Sequence, residues 1–436
     1  MTTSLDPATD VAPRPARPPA RRRTRLLFVT ITFHPEPGAL RGLPLARRLV
    51  ESGEFDVTVL TAVPWYPLGR TYPGYRQRLW QWETIDGVRV LRVPIYPSHD
   101  SSAARRIATY ASFMLSALCV GLPLVGRADA VYHVDNLPTT GLVTLLYARL
   151  RGVPVVQHVG DLWPESVTES GMLPRGIAAR VVGGLLGRLC DFVYRHDDRL
   201  TVLSPGFERA LLARGVSPSR IEVLPNWAEE DRFFPVAYDA ALAEELGFAG
   251  KFNVVYAGNI GPLQSLETVV RAAAAVRDLT DLQIVIVGSG PREGGVRALA
   301  ASLDAHNVRF LGRRPIDAMN GINALADVLL VHLADRPFLH STIPSKVQVA
   351  LVSAKPVLLG VRGDAADLIR ASAGGVTFAP GDADDLAARL RELHAMPRAA
   401  LAAMGARGRA YYHDHLSLDI GHRRMAQLFA DVAHAG

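Results

Sequence analysis

Lys346 stands in the run Ile343-Pro344-Ser345-Lys346 and is one of only three lysines, against 45 arginines. The apolar stretch from Val347 to Ser353 has a helical pattern, so Lys346 falls in a first helical turn. A compact ammonium there adds a point charge to the positive end of the helix dipole. Pro344 suits that turn, and the Ser345 hydroxyl can help satisfy its free N–H groups. Such a place would hold a diphosphate. Two turns nearby suit the same ligand. The run 253–257 ends in Gly258-Asn259-Ile260-Gly261 before a helical stretch, 265–279, and 283–287 ends in Gly288-Ser289-Gly290-Pro291. Glycines between a strand and a helix let backbone N–H groups approach an anion. A third run, 308–311, ends in Gly312-Arg313-Arg314-Pro315, and three consecutive strands ending this way imply one shared ligand edge.

The first half carries two further candidates. The run 26–31 leads into Pro35-Glu36-Pro37-Gly38-Ala39-Leu40-Arg41-Gly42, another anion-suited turn that offers Gly38 and Arg41. Past the run 153–159, His158, Asp161 and Glu165 gather within eight residues. One histidine at a strand end is as readily structural as catalytic, but a His, Asp and Glu cluster facing a cleft can do acid–base and positioning work.

Elements able to position these residues are legible as short Val-, Leu- and Ile-rich runs alternating with helical segments, the pattern of a parallel α/β protein. Strands are expected at 26–31, 56–60, 88–93, 130–134, 153–159, 200–203 and 221–224. After a polar connector, 228–250, they restart at 253–257, 283–287, 308–311, 328–333, 357–359 and 376–378. The expected architecture is two Rossmann-like doubly wound domains facing a cleft. Residues 1–24 form an arginine-rich arm, 25–230 the first domain and 231–415 the second. A closing helix, 416–436, could cross back onto the first domain.

The formal charge of +6 is uneven: residues 1–25 hold six arginines and two aspartates, while the rest carries 42 basic and 40 acidic groups. A nucleic-acid-binding domain would show a basic surplus throughout one lobe, so no nucleic-acid partner is expected. Two cysteines, Cys119 and Cys190, cannot build a disulfide framework or a thiolate metal site. No HExxH, Cys-x-x-Cys or P-loop pattern occurs. The arginines before Leu26 imitate a signal peptide, but the apolar run stops at His34-Pro35 without a cleavage site, which favours a buried first strand. Residues 107–125 are apolar but diluted by Thr109, Ser112, Ser116 and Pro123, which favours a packed or surface-docking helix over a span. With Arg105-Arg106 and the arm, they imply a cytoplasmic enzyme, peripheral on the anionic inner face of the plasma membrane.

Taken in order, these segments resemble glycosyltransferase family 4 of the two-Rossmann GT-B type, in its bacterial branch that builds colanic acid and O-antigen. The resemblance rests on 33–41, Leu60-Thr61-Ala62-Val63-Pro64-Trp65-Tyr66-Pro67, Asp86-Gly87-Val88-Arg89-Val90, Asp161-Leu162-Trp163-Pro164-Glu165-Ser166, Leu224-Pro225-Asn226-Trp227, the two glycine turns, and Pro344-Ser345-Lys346 through Lys355-Pro356-Val357. It implies retaining, metal-independent transfer of a sugar from a nucleoside diphosphate to a glycan or polyprenyl-diphosphate-linked acceptor, with no cofactor. On that resemblance Gly258, Asn259 and Gly261 approach the diphosphate, which Ser345 and Lys346 complete. Gly288, Gly290 and Arg313 lie near the nucleoside, Gly38 and Arg41 on the donor side, and His158, Asp161 and Glu165 towards the acceptor and reacting sugar. The family's paired glutamates fall at Ser341 and Val349, and its loop cations at Asn259 and Gln264. Asp364 is the candidate to replace the first glutamate. A nucleotide-sugar 2-epimerase, or an inactive homologue serving as a partner subunit, are the alternatives.

Overall fold

The computed structural model describes residues 22–37, 40–100, 102–135, 137–163 and 177–435. Fourteen strands among them form two sheets. The first comprises β1 (Thr24–Val29), β2 (Phe55–Ala62), β3 (Gln81–Ile85), β4 (Val88–Val93), β5 (Ala130–His133), β6 (Val155–Val159), β7 (Arg199–Val202) and β8 (Ile221–Val223), in the order β3-β4-β2-β1-β5-β6-β7-β8. The second comprises β9 (Phe252–Ala257), β10 (Leu282–Val287), β11 (Val308–Gly312), β12 (Val328–His332), β13 (Val357–Gly360) and β14 (Gly375–Thr377), in the order β11-β10-β9-β12-β13-β14. Relative to sequence, the second order is 3-2-1-4-5-6, whose reversal beside β9 opens a ligand crevice at the carboxyl ends.

Strands buried on both faces need apolar residues at every position, which explains the continuous run Leu282–Val287. In β1, Leu27 and Val29 meet Phe113, Ala117 and Val143 of the helices on one face. Leu26 and Phe28 pack on the other with Leu45, Leu49 and Phe429. Phe429 belongs to the last helix, Leu418–Ala435, whose ring stands 5.3 Å from Tyr132 and 6.0 Å from Phe28. Ahead of it, helix Arg398–His415 packs on helix Ser345–Val352 of the second domain. The chain thus crosses between the domains twice, at 224–233 and at 415–418. One carboxylate ties the crossings together: Glu230 Oε1 accepts from the Tyr412 hydroxyl and the Leu418 N–H, both at 2.7 Å.

Strand β3 departs from the sequence reading, which passed over it. It pairs antiparallel with β4 at the sheet edge and is half exposed, so it lacks an apolar run. The Asp86-Gly87 turn that sets it has positive φ at both residues, the hairpin signal that would have revealed it.

Asp197, between helix Ile177–His196 and β7, is fully buried, and neither carboxyl oxygen has a hydrogen-bond partner among the described residues. Burial, then the neighbouring Asp198 charge, pushes its carboxyl well above the usual range. The native state therefore holds a proton that the unfolded chain releases above about pH 4. Stability falls as pH rises from there through the native titration. Asp197→Asn is expected to melt like wild type at pH 4 and to be more stable by roughly 1–2 kcal/mol at pH 8. Parallel melting curves at both pH values would contradict this.

Candidate active site

Between the halves lies a cavity of about 920 Å³. Its floor is the carboxyl edge of the second sheet, at Gly258, Asn259, Gly288 and Ser289. Arg313 and Arg314 after β11, the head of helix Ser345–Val352, and linker residues Trp227, Ala228, Glu229, Arg232 and Phe233 form the walls. Pro37 and Leu40 reach it from the first domain. Among the described residues four cations line it, Arg232, Arg313, Arg314 and Lys346, against one acid, Glu229, so the lining favours an anion.

The glycines are there because side chains would not fit. Gly258 and Gly288 have φ of +143° and +146°. A Cβ on Gly288 would lie 1.8 Å from the Gly258 carbonyl oxygen, and one on Gly258 would lie 2.4 Å from Lys346 Cε. The lysine stem therefore lies flat on Gly258, with Nζ 5.1 Å from the centre of the Tyr256 ring. The Tyr256 hydroxyl in turn donates to the Asn259 carbonyl at 2.6 Å. Burial holds the Lys346 ammonium below the usual lysine range. Pro344 stands one place earlier than expected, at the N-cap, and Ser345 is the first helical residue. Among the described residues no side chain caps this helix, Ser345 included, so its first N–H groups have no side-chain capping partner there.

Gly258, Asn259, Gly288, Arg313, Ser345 and Lys346 thus converge on one cavity. Gly261 and Gly290 act one step away: a Cβ on Gly290 would meet the Ile260 carbonyl oxygen at 2.4 Å, and one on Gly261 the Asn259 amide at 2.6 Å. Where the resemblance leads one to look for loop cations, Gln264 Oε1 accepts from Asn259 Nδ2 at 3.3 Å and from the Gly261 N–H at 3.2 Å. That pair closes the turn on itself. Val349 is an apolar part of the cavity wall.

Arg41 and Asp364, among other candidates, lie elsewhere. Arg41 is buried beneath the linker, where it donates to the Leu224 carbonyl at 2.5 Å and Asn226 Oδ1 at 3.0 Å, with its guanidinium 5.0 Å from the Trp227 ring centre. Asp364 spans the domain contact: one oxygen accepts from the Gly206 N–H at 2.6 Å and the other pairs with Arg209 at 3.1 Å. Beside it, the Ser204 hydroxyl donates to the Ser341 carbonyl at 2.7 Å. Both side chains bind protein partners instead of facing the cavity. Gly38 and Glu165 lie outside the described residues.

His158 and Asp161 stand past β6, on the first sheet's carboxyl edge, and do not line the cavity. His158 is buried, with Nδ1 3.2 Å from Thr201 Oγ1. Burial and the charge of Arg41 hold it well below the usual histidine range, so the ring is neutral at physiological pH. Asp161 is open at its surface, yet the surrounding protein raises its carboxyl above the ordinary range by desolvation.

Sequence reasoning missed Glu36, a buried residue whose carboxylate accepts from the backbone N–H groups of Phe33 at 2.9 Å, Trp65 at 2.8 Å and Tyr66 at 2.6 Å. It pins the loop carrying Pro37 to the turn after β2. The linker, read as a polar connector, was also missed as cavity wall; the aromatic residues Trp227 and Phe233 flanking its acids were the available signal.

Residues 39–227 match the model of the glycosyl transferase 4-like domain, and 251–396 that of glycosyl transferases group 1. WcaI of Escherichia coli K12, a colanic acid biosynthesis glycosyl transferase, is 28% identical over 67% of this chain and 72% of its own length. The glycosyltransferase WbjE of Pseudomonas aeruginosa is 31% identical over 53% of this chain and 57% of its own. Among solved structures, sucrose-phosphate synthase from Thermosynechococcus elongatus superposes with a TM-score of 0.68 at 17% identity, covering 95% of this chain and all of that one. HepE of Anabaena, in complex with UDP-glucose, gives 0.64 at 15% identity over 94% of this chain and 100% of its own. With two facing Rossmann-like sheets and both domain models matched in order, the chain belongs to the glycosyltransferases that join a glycosyl transferase 4-like domain to a group 1 domain in the GT-B fold.

Proposed function

We propose that this glycosyltransferase moves a sugar from a nucleoside diphosphate to a glycan or polyprenyl-diphosphate-linked acceptor, with retention of configuration and without a bound metal, in polysaccharide assembly. The observation that carries the reading is Lys346, seated on Gly258 at the head of an uncapped helix in a cation-lined cavity. As the glycosidic bond breaks, charge builds on the β-phosphate, and the ammonium and helix N–H groups offset it in place of a divalent ion. Arg313 and Arg314 face the nucleotide. His158 and Asp161, which do not line this cavity, are read as positioning groups towards the acceptor side, His158 by tying the end of β6 to Thr201. HepE holding UDP-glucose and the relation to WcaI support a nucleotide-sugar donor and a polysaccharide product.

The test is a panel of nucleoside diphosphate sugars offered with lipid and oligosaccharide extracts, read by mass spectrometry and by NMR of the product's anomeric centre. Retention and turnover unaffected by EDTA are expected. An inverted product or loss of activity in EDTA would remove those parts of the reading. Donor epimerised without acceptor would replace it with an isomerase, and donor binding without transfer to any extract with a partner-subunit role.

A further inference from the structure

The helical stretch Ala104–Leu124 is apolar enough to cross a membrane, yet only 28% of it is buried. One face of this helix packs into the first domain's core through Phe113, Ala117 and Leu122, but its other face is apolar as well, and an uncovered apolar face belongs against lipid or a partner. Its exposed side shows Ile107, 61% accessible, and Leu115, 56%, with no charged residue between Arg106 and Arg127.

This helix does not stand alone. Ser112 Oγ accepts from the Tyr96 N–H at 2.9 Å, and Ser116 Oγ donates to the Pro94 carbonyl at 2.5 Å, so the helix lies along the segment after β4. Gln77 Oε1 accepts from the Ile95 N–H at 3.0 Å, bringing the stretch before β3 to the same segment. Leu79, Trp80, Tyr96 and Leu68 are all exposed there. Residues 66–127 hold eight arginines and three acids, and two of those acids, Glu83 and Asp100, are paired with Arg92 and Arg105.

We propose that this face docks on the surface of an anionic phospholipid bilayer. Leu79, Trp80, Ile107 and Leu115 enter the headgroup–acyl boundary, while exposed Arg70, Arg76 and Arg78 meet lipid phosphates. Exposed Trp and Tyr among arginines suit an interfacial layer, which is apolar on one side and wet and anionic on the other. A second copy fits less well, because it would bring its own arginines onto these. The face adjoins the carboxyl edge of the first sheet, where a lipid-linked acceptor would be presented. That last step rests on the function proposed above, whereas lipid binding itself does not.

The experiment is co-sedimentation of the full chain with vesicles of phosphatidylglycerol and phosphatidylethanolamine, against pure phosphatidylcholine. Binding to the anionic vesicles, weakened in 0.5 M salt (about a 4 Å Debye length), is expected. Leu79→Glu/Trp80→Glu and Leu115→Glu should each weaken it at least tenfold, as should Arg76→Glu/Arg78→Glu. Wild-type melting curves would show that the variants fold, these positions being exposed. No binding to anionic vesicles, or unchanged binding by the apolar variants, would overturn the proposal. So would a dimer in light scattering that the same variants dissociate without any vesicle binding. Turnover on a soluble acceptor, read separately, tells failure of this surface from failure of the proposed reaction.

Discussion

Lys346→Met is expected to lower kcat roughly 10²–10³-fold, the usual cost of removing one preorganised charge from a developing anion. Methionine keeps most of the side-chain volume on Gly258, so the change isolates the charge. Arginine should not rescue it, because Gly258 already leaves the lysine stem almost no room. The thermal effect should run the other way. The ammonium is desolvated in the folded state and its pKa is lowered, so wild-type stability rises with pH through the window just below the ordinary lysine value of 10.5. The methionine variant should lose that slope and melt at or above the wild-type temperature at pH 7. Steady-state kinetics and melting curves between pH 7 and 10 check both halves; near wild-type kcat would end the assignment.

Glu36→Ala should destabilise the protein by about 3 kcal/mol or more, because it strands the buried N–H groups of Phe33, Trp65 and Tyr66 at about 1–3 kcal/mol each. Donor KM should rise with it, since the loop that carries Pro37 to the cavity loses its anchor. Glu36→Gln should fall between. Its carbonyl can keep the two donors on Oε1, while its amide meets the Phe33 N–H donor to donor. Calorimetry showing the alanine variant within a degree of wild type would refute the anchoring role.

These two residues also mark what a sequence can and cannot disclose. Parallel strands were legible because double-sided burial forces long apolar runs, and β3 was not, because an edge strand needs only one buried face. The glycine turns and Lys346 were legible because close backbone approach excludes every other residue type. Glu36 was not, since its partners at 65 and 66 lie across a fold that no local pattern announces. Asp364 and Arg41 were drawn to the donor by sequence neighbourhood, and only contact between distant segments shows the partners they have. The scarcity of lysine pointed to Lys346 but does not single it out by itself. Lys355 Nζ donates to the Ala324 and Ala326 carbonyls at 2.7 and 2.8 Å, closing the end of helix Met319–Leu325. A compact point charge against crowded backbone is what these two sites share.

The last helix has a consequence for biosynthesis. Phe429 fills the space against Phe28, Phe55 and Tyr132, on strands that are synthesised about 300 residues or more before it. The first-made domain must therefore wait, with one apolar face uncovered, until the whole second domain has been translated. Domains that normally fold in order of synthesis are here locked in reverse, a segment made after the second domain completing the core of the first. A nascent chain stalled before residue 418 should expose that face to chaperones and proteases, and release of the final helix should close it.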